Sequence, residues 1–246
     1  MINQTGVPIM SATPLCLAPS PATAEATLPL LCAHTVDSPQ RSLLEDYIHT
    51  RYAETYQSDI NHFLPILLAT WSDNQLQGVL GLRPGVCGDF FVEKYLDAPV
   101  EEIVTLRSGV QVAREHIIET GNLAGSRGSS QLLFIALTEV LQRAGFRWVT
   151  FTATTQVNAL LQRLGFAPQA ICQADPDRLG EQKKAWGTYY DNRPCVVIGD
   201  VAQAYHTLQG NEFARKILAD HESEIAAIVA QLQKCRTSGS AAGVQS

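Results

Sequence analysis

Charge is scarce in this 246-residue chain: 17% of residues are charged, and 18 Lys and Arg against 24 Asp and Glu leave a formal net charge of -6. No run of Lys or Arg exists to build a basic stripe, which excludes nucleic acid as the expected partner. The 6 cysteines (Cys16, Cys32, Cys87, Cys172, Cys195, Cys235) contain no C-x-x-C pair and have no neighbouring His at ligand spacing. They read as scattered reduced thiols, not as a zinc site or a disulfide framework. The 6 histidines show no H-x-x-x-H or carboxylate-spaced set, so no metal is expected. No segment approaches the roughly 20 uninterrupted apolar residues of a membrane helix. Met1 to Ala18 holds no Lys or Arg and is broken by Pro8 and Pro14, unlike a secretory signal, so a cytoplasmic location is expected.

The chain has room for one good-sized α/β domain with appendages. Residues 1–38 are dense in Pro, Ala, Thr and Ser and lack both hydrophobic periods, so they are expected as a disordered leader. The Ser/Gly/Ala-rich residues 235–246 are expected as a disordered tail. Between them, residues 39–200 form the expected main domain and residues 201–234 a helical extension.

Leu44, Ile48, Tyr52 and Tyr56 recur every four residues, which predicts a first helix. FLPILLAT and the run from Gln77 to Leu82 flank the turn signal SDN and predict a hairpin. His116 to Leu123 predicts a strand ending in the turn GNLAGSRGSS, and a long helix begins at Ser130 and stops at Gly145. A strand over Trp148–Ala153, a short helix over Val157–Leu164, a polar loop carrying WGTYYD and a strand over Cys195–Ile198 follow. Two helices, Val201–Leu208 and Glu212–Leu232, close the ordered part. The succession of strand, Gly-rich turn, helix and strand sets backbone N–H groups at a helix N-terminus, a site suited to an anionic ligand.

Residues His116 to Phe166 resemble the GNAT acyltransferase core, through the strand–turn–helix and through Asn158-Ala159-Leu160-Leu161-Gln162-Arg163-Leu164-Gly165-Phe166, which follows the form N-x-x-L-x-x-x-G-F. A closer resemblance covers residues 41–199 and rests on FLPILLA, GVLGLRPG, FFVEKYLDAPVEEIV, IIETGNLAG, FTAT, RLGF, ADPDRL and WGTYYD. On these strings the chain resembles the thermostable hemolysin family. GLRP followed by a Glu-bearing strand is also similar to acyl-homoserine lactone synthases. The implied fold is α/β (α+β): a GNAT-like mixed, mostly antiparallel central sheet flanked by helices, with C-terminal helices added.

The resemblance implies an N-acyltransferase that moves a long-chain acyl group from acyl-CoA or acyl-carrier protein to the amine of an amino acid or similar acceptor. No permanent cofactor is implied, since the phosphopantetheine donor is a substrate. Glu119 is placed as general base, the alternative being a carboxylate bonded to backbone or paired with Arg83. Asn122, Leu123, Ala124, Gly125, Arg127, Gly128, Ser129 and Ser130 would hold the donor's phosphate end, with Asn158 from the second motif, and the backbone N–H groups near Leu123 and Ala124 would stabilise the oxyanion. Against the family pattern R/Q-x-x-G-x-G/A the chain has Asn122 first and Arg127 where a small residue belongs, which weakens the case for free acyl-CoA and leaves room for acyl-carrier protein. The Tyr acid common in GNAT enzymes is replaced by Leu161, and Tyr189 or Tyr190 would substitute, unless they are packing anchors. Arg83 and Asp191 would contact the acceptor. Two other readings stay open: a membrane-active hemolysin, and a donor-binding module without turnover. The apolar face of residues 212–232 would pack on the core or on a second copy in a homodimer.

Overall fold

The computed structural model describes residues 31–242, and side chains through residue 236. Strands are β1 (Leu31–His34), β2 (Ile66–Ser72), β3 (Gln75–Pro84), β4 (Ile117–Gly125), β5 (Trp148–Ala153), β6 (Gln169–Gln173) and β7 (Cys195–Asp200). Helices are α1 (Arg41–Tyr56), α2 (Val100–Ser108), α3 (Arg127–Ala144), α4 (Thr155–Arg163), α5 (Val201–Gln209), α6 (Glu212–Asp220) and α7 (Glu222–Ala242). Short 3-10 segments include Phe91–Tyr95, Pro176–Trp186 and Tyr189–Asn192.

The strands form one sheet in the order β1-β2-β3-β4-β5-β7-β6. Only β4 and β5 run parallel; every other neighbouring pair is antiparallel. The mixed, mostly antiparallel α/β class is therefore as expected. The β2–β3 hairpin turns at Asp73 and Asn74, both at positive φ (49° and 59°), the geometry that lets a two-residue turn follow the twist of its strands.

Strand alternation sends Leu80, Leu82 and Ile118 to one face, where Leu133, Leu137 and Leu141 of α3 and Ile225, Ile228 and Leu232 of α7 close the main core. On the other face Leu44 and Ile48 of α1 cover Leu67, Ala69 and Val79. Beside them Phe90, Val92 and Val104 cover Ile117, Trp148 and Ile198.

Several expectations are corrected. Strand β1 lies inside the region expected as a leader: Leu31 is buried and pairs with Thr70, so this short edge gains its order from a distant partner. Of that region, residues 1–30 lie outside the described residues. Helix α7 continues through Ala242, past the expected start of the tail at residue 235, and residues 243–246 lie outside the described residues. The predicted helix 212–232 is two helices, because buried His221 leaves helical geometry (φ -117°, ψ 21°) and its carbonyl accepts the N–H of Ile225 at the start of α7. Helix α3 begins at Arg127 and not Ser130, since Ser126 caps it by accepting the N–H of Ser129.

Candidate active site

The site begins where two strands part. β4 pairs with β3 as far as Gly125, but with β5 only over Ile117–Glu119 against Trp148–Thr150. Past Glu119 the strands diverge, and β5 continues beside β7 alone. A bulge accompanies the parting: Gly81 faces Gly121 and Val79 faces Ala124, so β4 carries an extra residue, with Asn122 at φ 50°. The β5-facing backbone edge of Thr120–Gly125 has no strand partner among the described residues. A cavity of about 520 Å3 occupies the wedge.

Glu119 lines this cavity but is buried, its side chain 3% exposed. Its Oε2 accepts the Phe91 N–H at 2.9 Å and its Oε1 the Val92 N–H at 2.8 Å. Arg83 Nη1 lies 3.6 Å from Oε2 and donates to the Asp89 carbonyl at 2.7 Å. Burial pushes the Glu119 carboxyl above the usual carboxylate range, while the two N–H groups and Arg83 pull it back. Backbone bonding and the Arg83 pair thus coexist with a position at the cavity wall.

The segment expected as a phosphate turn is divided. Asn122–Gly125 belong to β4, and Arg127–Ser130 form the first turn of α3. Leu123, Ala124, Gly125, Arg127 and Ser130 line the cavity; the Ser129 and Ser130 N–H groups bond Ser126, and those of Arg127 and Gly128 are the donors this helix start leaves for a ligand. Asn122 lines it too, but its side chain is a tether: Oδ1 accepts the Leu64 N–H at 2.9 Å and Nδ2 donates to the His62 carbonyl at 3.2 Å. Gly128 and Ser129 do not reach the lining. The Ser129 hydroxyl turns back to donate to the Ser126 carbonyl at 2.9 Å, next to Gly78 and Gly125.

Tyr189 is buried at the cavity wall, its hydroxyl 3.1 Å from Thr152 Oγ1. Tyr190 points elsewhere, its hydroxyl bonded to that of Tyr95, and it is absent from the lining. Neighbours in a 3-10 turn diverge by about 120°, so the two hydroxyls reach different partners although the rings touch, with centroids 5.2 Å apart. Burial pushes both phenols up, Tyr190 to about 12 and Tyr189 further. Asp191 is exposed on that turn, away from the cavity, and Asn158 faces away from it on α4, whose cavity face carries Gln156, Val157, Leu160 and Arg163.

The wall opposite the wedge is aromatic. Tyr52, Tyr56, Phe63, Phe91 and Trp186 join Tyr189 in lining the cavity. Ring centroids lie 5.1 Å apart for Trp186–Tyr189 and 5.2 Å for Tyr56–Tyr189. The Tyr52/Tyr56 spacing and the density of rings in WGTYYD carried a signal, but only the tertiary stitch reveals it: Thr188 N–H donates to the Tyr56 carbonyl at 2.8 Å, and Asp59 N–H to that of Ala185 at 2.7 Å. Gly187 is needed at this contact, at φ 51° with room for no Cβ beside the Tyr56 carbonyl. Arg51 also lines the cavity, as does Arg163. With Arg83 and Arg127 they make the lining cationic, and Glu119 is its one carboxylate among the described residues. No group of three or more His, Cys, Asp or Glu placed to hold a metal occurs among the described residues, and no helix there is long and apolar enough to cross a membrane.

A mixed sheet parted at its parallel pair, over a cationic and aromatic cavity with a helix N-terminus at one end, defines the class: an α/β protein with its site in the wedge of the sheet. The family model described as thermostable hemolysin matches residues 34–205, and the chain belongs to that family. No curated protein matches it. Among solved structures the chain is similar to TofI in an apo form, at 16% identity over 73% of this chain and 95% of that chain, with TM-score 0.48. It is similar to the CoA-dependent acyl-homoserine lactone synthase BjaI with SAM and isopentyl-CoA, at 13% identity over 84% and 99%, TM-score 0.48. It is also similar to FeeM, an N-acyl amino acid synthase from uncultured soil microbes, at 14% identity over 72% and 95%, TM-score 0.48.

Proposed function

We propose that this chain is an N-acyltransferase that moves a long-chain acyl group from acyl-CoA or acyl-carrier protein to the amine of an amino acid or similar small acceptor. The observation that carries the reading is the parting of β4 and β5 beyond Glu119, over a cavity that runs from the first turn of α3 to a buried carboxylate. An amide-bearing donor arm entering the wedge satisfies the open backbone edge at Leu123 and Ala124, with its phosphate at Arg127 and the α3 N-terminus.

Two features support the finer parts. A second, narrower pocket on the α3 face of the sheet is lined by Leu137, Leu141, Val149, Phe151, Leu161 and Phe166, apolar surface suited to a hydrocarbon chain. The cationic lining suits an acceptor with a carboxylate, which Arg83 or Arg51 would pair.

In the reaction the amine nitrogen attacks the thioester carbonyl carbon, the C–N bond forms, and the carbonyl electron pair moves to oxygen. Glu119 takes the amine proton as the base. Collapse restores the carbonyl and breaks the C–S bond, and the thiolate leaves. A thiol ionises near pH 8.5, so it does not draw a proton from a phenol that burial has made a weaker acid. Tyr189 is thus a hydrogen-bond donor to the departing sulfur that keeps its own proton, and the thiolate is protonated by water on release. Tyr190 and Asp191 have no part in this scheme.

The test is incubation of the purified full chain with acyl-CoA and acyl-carrier-protein panels and free amino acids, with mass spectrometry of the products. Acylated amines that fall strongly with Glu119→Gln are the expected result. No product from either donor with folded protein, together with dye release from liposomes that survives Glu119→Gln, would overturn it in favour of direct membrane action.

A further inference from the structure

We infer that Thr120 is a catalytic residue whose hydroxyl donates a hydrogen bond to the thioester carbonyl as it becomes an oxyanion; this rests on the acyltransfer reading above. Three observations converge on Thr120. It is the first residue of β4 beyond the last pair with β5, Glu119–Thr150, so it stands at the vertex of the wedge. It lines both the large cationic cavity and the apolar pocket on the α3 face, the only residue common to the two linings among the described residues. Its Oγ1 is buried with no hydrogen-bond partner among the described residues.

The last point is costly. A buried hydroxyl without a partner loses its hydration with nothing in return, and the other buried threonines near the core face avoid this: Thr70 bonds the Gly78 carbonyl, Thr138 the Phe134 carbonyl and Thr150 the Val197 carbonyl. Thr120 faces the one stretch of sheet where the neighbouring strand has withdrawn. A carbonyl entering the wedge supplies the missing acceptor.

The stereochemistry fits. Glu119 and Thr120 are consecutive on a strand, so their side chains leave on opposite faces. An amine that loses its proton to Glu119 approaches the carbonyl carbon from the Glu119 face. Addition then bends the oxygen toward the opposite face, where the Thr120 hydroxyl lies and where the apolar pocket takes the chain. The N–H groups of Leu123 and Ala124 lie roughly 10 Å further along the strand. They are too remote from Glu119 to serve the same tetrahedral centre and are left to the donor arm.

The experiment compares wild type, Thr120→Val and Thr120→Ser in three measurements. Thermal unfolding of the free protein should show Thr120→Val as stable as wild type or more so, because the orphan hydroxyl is gone. Steady-state acylation should show kcat about 100-fold lower for Thr120→Val, with KM for the donor little changed and Thr120→Ser within a few fold of wild type. Calorimetric binding of S-dodecanoyl phosphopantetheine and its thioether analogue S-dodecyl phosphopantetheine reads the carbonyl contact without turnover. Thr120→Val should weaken the first and leave the second unchanged.

Equal effects of Thr120→Val on both probes, no effect on either, or failure of wild type to bind either, would overturn the proposal. So would a Thr120→Ser variant as impaired as Thr120→Val. Carbonyl-dependent binding in wild type with no product from any amine would sink the N-acyltransferase reading and leave the Thr120 contact standing.

Discussion

Glu119 on β4 and Val92 in the segment Phe91–Tyr95 meet through a 2.8 Å bond from the Val92 N–H to the Glu119 carboxylate, and the neighbouring Phe91 N–H binds the other oxygen. The carboxylate proposed as the base thereby also holds one wall of the cavity. The desolvated carboxylate has its ionisation moved upward by burial, in spite of those bonds.

The first prediction concerns that ionisation. Because the folded chain holds the Glu119 proton more tightly than the unfolded chain, this group's contribution to stability is full below the ordinary Glu value of about 4.3 and is lost as pH rises through the higher folded value. Glu119→Gln cannot ionise, so wild type should lose stability relative to the variant across that window, as read by denaturant unfolding at a series of pH values. Activity should move the other way: the acidic limb of kcat/KM should lie above the ordinary carboxylate range in wild type. Glu119→Gln should cost roughly 100- to 10,000-fold in rate and abolish that limb. An acidic limb that survives in Glu119→Gln would remove Glu119 from the role of base.

A second prediction follows from the ion network beneath the same wall. Arg114 donates to Glu93 at 2.6 and 2.8 Å and to Glu101 at 2.8 Å, and its guanidinium stacks over Phe90 at 4.2 Å. Burial alone would push the Glu93 carboxyl up, but the bonds from Arg114 and from the Val100 and Phe90 N–H groups outweigh it and hold the carboxyl below its usual range. The sign is opposite to that of Glu119: this stability is present above the ordinary carboxylate value and fades as pH falls through the lowered one. Arg114→Met should therefore cost about 2 kcal/mol at neutral pH, and the deficit should shrink in acid. Denaturant midpoints of both proteins at neutral and acidic pH check it, and an equal deficit at both would mean that packing on Phe90 carries the effect.

What the sequence displayed and what it concealed divide along physical lines. Local signals were legible: the Asp73–Asn74 turn, the periodic face of α3 and the β-branched run of β5 gave those elements their places. Strand β1 was not legible, because Leu31–His34 is ordered by pairing with Leu67–Thr70 and not by its own composition. The same holds at the site. Glu119, Arg127 and Ser130 line the cavity in the segment that the family resemblance singled out. Tyr52, Trp186 and Arg51 come together at the cavity only when the 186–192 segment folds back on the end of α1, a contact that no local spacing displays. Asn122 was assigned to the ligand by its place in a motif, whereas its amide is consumed in holding Leu64.

That tether gives the third prediction. Asn122 adopts φ 50° and makes the two bonds that fasten the His62–Leu64 loop to the bulge of β4. Asn122→Gly keeps the backbone conformation accessible and deletes both bonds, so it isolates the tether from backbone strain. Loss of about 1–2 kcal/mol is expected, with faster hydrogen exchange at Leu64 and a higher KM for the acceptor, since Phe63 and Leu64 help to wall the cavity. Unchanged exchange at Leu64 would show that the loop is held by its apolar contacts instead.

The last prediction separates two adjacent tyrosines. Tyr189 lines the cavity and bonds Thr152, whereas Tyr190 bonds Tyr95 outside the lining, so chemistry should depend on one and packing on the other. Tyr189→Phe should lower kcat about tenfold, the value of one hydrogen bond of about 1.4 kcal/mol made chiefly in the transition state, with little change in donor KM. Because the phenol stabilises sulfur without yielding its proton, the loss should be larger for donors whose thiol is more basic, and wild type should show no rate limb from phenol ionisation in the accessible alkaline range. Tyr190→Phe should leave kcat within a few fold and lower the thermal midpoint, since the Tyr95 hydroxyl loses its partner in a buried cluster. Rates measured for both variants with donors of graded thiol basicity decide the matter: equal sensitivity in the two would mean that the turn carrying them acts only as a packed wall.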